Sequence, residues 1–215
     1  MNEFFNKNNL AMRFLTSICN LILVNLLFLL FSLPIVTIGA SLTALYKIVF
    51  MMHAKDEIFI YRDFKAEFVD SFKKATIIWV PVLLLSAYFV VELRYLNGFS
   101  DMPWLQIPIW IVVFFIACIL IYAFPLLANF ENSLKNTVKN SILLGLGNLP
   151  TTIFVIVIFY ALYLSIDYEP AFLVIWGSLA IFMGCAVMAW FIALFLRRIF
   201  GIKKIVTFPE DTDKL

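Results

Sequence analysis

Five stretches of this chain carry no Asp, Glu, Lys or Arg, and together they cover most of its 215 residues: Phe14–Tyr46, Ala75–Val91, Met102–Phe130, Asn140–Ile166 and Pro170–Leu196. The charges crowd into the short segments between. A bilayer core holds no water to solvate a charge, and a run of about 20 apolar residues at ~1.5 Å rise each crosses its ~30 Å. The pattern therefore predicts an all-α fold, a polytopic transmembrane helical bundle.

With 64% hydrophobic residues, the chain is far more apolar than a soluble domain, and the connecting segments are too short to fold separately. Residues 1–215 read as one integral membrane domain. Cys19, Cys118 and Cys185 all lie in apolar runs, odd in number and without ligand spacing, so they read as packing residues. His53 is the only histidine, which excludes HExxH sites, Ser-His-Asp triads and His-rich metal centres. With no phosphate-binding glycine loop and no nucleophile–base pair, the reading is of a protein that is not an enzyme. It takes no cofactor and no metal, and binds no nucleic acid.

Phe14–Tyr46 is too long for one helix. Pro34 lacks a backbone donor and restricts the residue before it, so the break belongs at Ser32-Leu33-Pro34. Six spans follow, at about 14–33, 36–53, 75–96, 104–128, 149–166 and 171–196, with a tail at 197–215. Both termini are then cytoplasmic, and nearly every Lys and Arg falls inside. The alternative count makes 14–38 one tilted span and leaves 39–54 on the surface. That gives five spans, with Lys7 and Arg13 outside.

Two inner segments have helical amphipathic spacing. Ile58, Tyr61, Phe64, Phe68 and Phe72 share one face, as do Phe130, Leu134, Val138 and Ile142. Both are expected to lie on the cytoplasmic membrane surface, where Phe64, Phe68 and Phe72 are candidate partner contacts. The two segments also look alike, with Phe68-Val-Asp-Ser-Phe-Lys-Lys beside Phe130-Glu-Asn-Ser-Leu-Lys-Asn, which suggests an internal repeat.

Lys47 is the only charge between Arg13 and Lys55. It either snorkels to the headgroups or sits in a polar centre that binds an anion or pairs with a carboxylate. Asn20 and Thr37 join it as candidate substrate-binding residues, should a solute path run here. Glu92, Asp101, Asp167 and Glu169 gather with Tyr and Trp at the outer face. That combination suits a sugar site and equally suits an interfacial aromatic belt.

The segment Leu33-Pro-Ile-Val-Thr-Ile-Gly-Ala-Ser-Leu-Thr-Ala-Leu-Tyr-Lys47 resembles the signature of the YesL-like family of bacterial integral membrane proteins. Similar too are Phe64-Lys-Ala-Glu-Phe-Val-Asp-Ser-Phe-Lys-Lys74, the step at 124–128 and the Asn/Lys-rich stretch at 132–140. The family has no established activity. Its members commonly occur near genes for carbohydrate uptake, so the resemblance implies a non-enzymatic plasma-membrane component accompanying a binding-protein-dependent sugar transporter. The alternative is a small carrier that moves a saccharide itself.

Overall fold

The computed structural model describes residues 10–54, 58–96, 107–169 and 171–200, and these are helical with no strand among them. Eight helices follow in order: α1 (Leu10–Phe31), α2 (Ile38–Ala54), α3 (Ile60–Leu96), α4 (Ile107–Asn129), α5 (Leu134–Gly147), α6 (Leu149–Tyr168), α7 (Ala171–Leu179) and α8 (Cys185–Ile199). A π-helical turn, Ala180–Gly184, joins α7 to α8 into one run of 29 residues. Among the described residues, three helical runs, Ile35–Ala54, Ile107–Asn129 and Ala171–Ile199, are long and apolar enough to cross a membrane. A fourth arises if α5 and α6, bent by 95° at their junction, count as one broken span. Exposed apolar side chains such as Ile153, Phe154, Val157 and Phe159 on α6 form the kind of face that lipid covers.

The break between α1 and α2 falls at Pro34, whose extended φ of −76° and ψ of 119° take the chain out of the helix. A low-dielectric setting requires each stranded carbonyl to find a donor. The Thr37 hydroxyl reaches Phe31 O (2.6 Å) and Pro34 O (2.7 Å), and the Trp79 indole donates to Ile35 O at 2.7 Å. Thr37 thus closes the end of α1 rather than capping the start of α2.

The core surrounds α2. Ala40, Ala44, Leu45, Ile48 and Val49 are buried, with Phe28 of α1, Phe64 and Ala75 of α3, Phe124 and Ala128 of α4, and Ala189 and Ala193 of α8 packed around them. Gly39 is where the close approach is made. A Cβ there would lie 2.7 Å from Trp79 Cβ and 3.0 Å from both Ala75 O and a Phe124 ring carbon. The small residues Gly39-Ala40-Ser41 let α2 pack this tightly.

Only one of the two amphipathic segments forms a helix of its own. The first is the N-terminal part of α3, which runs unbroken for 37 residues. No Gly or Pro interrupts it between Phe64 and Trp79, so the hydrogen-bond ladder crosses the polarity boundary at Lys74/Ala75. The second, α5, is capped by Ser133, whose hydroxyl accepts from Asn136 N. It packs along α4 through Thr137, Ser141 and Gly145, the last against Cys118. The suggested repeat dissolves for the same reason. Ser71 is inside a continuous helix, whereas Ser133 precedes one.

Candidate functional site

Two anchors fix how α2 lies against α3. Gly39 meets Ala75 and Trp79, and two turns further on Lys47 Nζ is 3.9 Å from the Glu67 carboxylate. The helices are thus antiparallel, and α2 runs beside the charged half of α3 rather than its apolar half. Lys47 also donates to Ala128 O at 3.0 Å, in the last turn of α4. Carbonyls there lack intrahelical partners and carry the negative end of the helix dipole, so an ammonium group is well placed.

Lys47 thereby ties three helices together while part of its side chain remains exposed. Burial pushes the Glu67 carboxyl above its ordinary value, with the neighbouring Lys47 pulling it down and Asp70 adding to the rise. No hydrogen bond joins any two of Lys47, Asn20 and Thr37 among the described residues. Asn20 is half-buried on α1, Thr37 is committed to the turn, and Lys47 is held by Glu67 and Ala128.

The aromatic candidates divide. Phe64 is fully buried, its ring 5.5 Å from that of Phe31. Phe68 is half-buried, 4.8 Å from Phe31 and 5.6 Å from Phe72. Only Phe72 is exposed. Phe64 therefore belongs to the core and offers nothing to a partner. The outward face of this helix half is made by Tyr61, Lys65, Val69 and Phe72. Its start is fixed by Asp63, whose carboxylate accepts from Phe59 N at 2.9 Å and from Arg62 Nε at 3.0 Å.

The Phe31 contacts bear on the span count. Six spans put Phe31 at the outer end of the first helix and Phe64 and Phe68 in a cytoplasmic segment, yet their rings touch. The Trp79–Ile35 hydrogen bond repeats the point, linking the first turn to the beginning of the apolar half of α3.

Sequence reading missed Asn25. It is fully buried, and its amide nitrogen donates to Ala180 O and Ile181 O at 2.9 Å each. Its oxygen accepts from Ala186 N at 3.0 Å. One side chain thus satisfies the backbone groups that the π-turn releases. Of the outer acidic–aromatic cluster, Asp101 and Trp104 lie outside the described residues, as do the side chains of Tyr95, Asp167 and Tyr168. Glu92 is half-buried and Glu169 exposed.

One family model matches. Residues 21–93 are similar to the family described as Protein of unknown function, DUF624. The match covers about a third of the chain, from the second half of α1 through most of α3. It therefore contains Asn25, Thr37, Gly39, the Lys47–Glu67 pair and the Phe31–Phe64 contact. No curated protein and no solved structure matches.

Proposed function

We propose that this protein is a non-enzymatic accessory component of a plasma-membrane assembly, and that its partner docks on the Tyr61, Lys65, Val69 and Phe72 face of α3. The observation that carries this reading is the length and register of α3. Its 37 residues reach ~55 Å, against ~30 Å for a hydrocarbon core. The stretch from Ala75, uncharged as far as Val91, fills the core. The remaining fifteen or so residues project beyond it, stiffened by α2, and present exposed apolar and cationic side chains away from lipid. The partner suggested by the YesL-like resemblance is a subunit of a binding-protein-dependent sugar transporter.

The same register favours five crossings over six. In the five-crossing arrangement α1 enters from outside and the Pro34 turn lies near the cytoplasmic face. There α2 packs beside the charged half of α3 as a helix enclosed by protein. The crossings are α1, the apolar half of α3, α4, the α5–α6 pair and the α7–α8 run, with the C-terminal end inside. Co-purification tests the docking face. Val69→Ser with Phe72→Ser should abolish recovery of a transporter subunit while the chain stays inserted. A retained complex would remove the face from consideration.

A further inference from the structure

A groove of about 430 Å³ lies between the C-terminal ends of α4 and α8 and the flank of α5, lined among others by Phe130, Asn132, Asn140, Leu143 and Phe200. Its walls have two characters. Phe130 and Phe200, 5.6 Å apart, make an apolar corner with Leu143. The Asn132 and Asn140 amides make no side-chain hydrogen bond among the described residues, so each offers both a donor and an acceptor. Lys139 and Arg198, both exposed, stand next in sequence to the lining residues Asn140 and Ile199. Arg197 is turned away to His53 O at 3.1 Å.

We propose that this groove holds one anionic phospholipid. Amides and cations suit a phosphate with hydroxyl-bearing glycerol, while the apolar walls suit an acyl chain and have no use for a free anion. The place agrees. Two of the runs apolar enough to cross a membrane, those ending at Asn129 and Ile199, finish here, which is where a headgroup meets the hydrocarbon edge. This site is separate from the docking face on α3 and stands or falls without it.

The experiment uses the full chain, delipidated in a neutral detergent. It measures thermal shift and lipid retention by native mass spectrometry with phosphatidylglycerol, phosphatidylcholine or glycerol phosphate added. Phosphatidylglycerol should stabilise the chain and be retained as one molecule; the other two should do neither. Lys139→Gln with Arg198→Gln should cut the preference for phosphatidylglycerol over phosphatidylcholine by about tenfold or more, since each cation near an anionic lipid contributes strongly. Asn132→Leu with Asn140→Leu should lose the retained lipid. The same charge loss placed on α3, Lys65→Gln with Lys73→Gln, should leave the preference intact. Equal stabilisation by phosphatidylcholine, an effect reproduced by glycerol phosphate alone, or an undiminished preference in the Lys139/Arg198 variant would each overturn the proposal.

Discussion

Asn25 satisfies three backbone groups of another helix. Replacing it by Leu strands two carbonyls and an amide beside the π-turn, a loss of about 1–2 kcal/mol where water is excluded. Asn25→Asp keeps the shape but removes both donors, and should be worse because it also buries a charge. Thermal unfolding in detergent should therefore rank wild type above Leu and Leu above Asp; a Leu variant melting like wild type would show that the turn does not need the amide. Its role was not legible in the sequence, because the partners are main-chain atoms some 155 positions away and leave no mark in residue type. Lys47 was legible as out of place, but Glu67 as its partner depended on helix register. The Glu67 carboxyl is raised by burial, so the folded state holds its proton more tightly than the unfolded chain does. That contribution is complete below the ordinary glutamate value and is lost as pH rises through the raised one. Unfolding midpoints should then fall across this window in wild type, and Glu67→Gln should flatten that part of the profile. An unchanged slope in Glu67→Gln would assign the pH dependence elsewhere.

At the scale of elements, helix positions were readable because proline and apolar run length are local signals. The break at Pro34, the start of α6 near Leu149 and the start of α7 at Ala171 fall close to their expected places. The fusion of the amphipathic segment with the apolar half of α3 was not readable from hydropathy. Polarity changes at Lys74/Ala75, whereas the backbone ladder responds only to residues that cannot continue it. The bend at α5–α6 follows a related logic. Thr152 donates to Gly145 O (2.9 Å) and Asn148 O (3.1 Å), and the Tyr122 hydroxyl lies 2.9 Å from Thr152 Oγ1, so the opened ladder is closed by side chains. Gly39 is the element-scale test. With Trp79, Ala75 and Phe124 all within 3.0 Å of its missing Cβ, Gly39→Ala must push α2 off α3 and α4. The expected cost is about 1–3 kcal/mol. Ala at Gly147, which has open space around it, should cost far less, and equal melting temperatures for the two variants would contradict the packing.

For the whole molecule, membrane residence was written in the charge-free runs, but the number of crossings was not. Apolar length alone makes α2 a candidate span, and the Lys and Arg distribution draws Lys7 and Arg13 inside, so both signals favour six. Neither senses that α2 is covered by protein on most sides, nor that its neighbour is the half of α3 carrying Lys65, Glu67, Asp70 and Lys73. A helix wrapped by its own chain can be as apolar as one wrapped by lipid. The measurement that separates them places single cysteines, in a background lacking Cys19, Cys118 and Cys185, at Leu33 in the exposed turn and at Lys65 on α3. An impermeant maleimide is then applied to sealed vesicles of each orientation. The five-crossing arrangement predicts that both positions label from the same, cytoplasmic side. Labelling of Leu33 from outside with Lys65 from inside would contradict it and restore six spans.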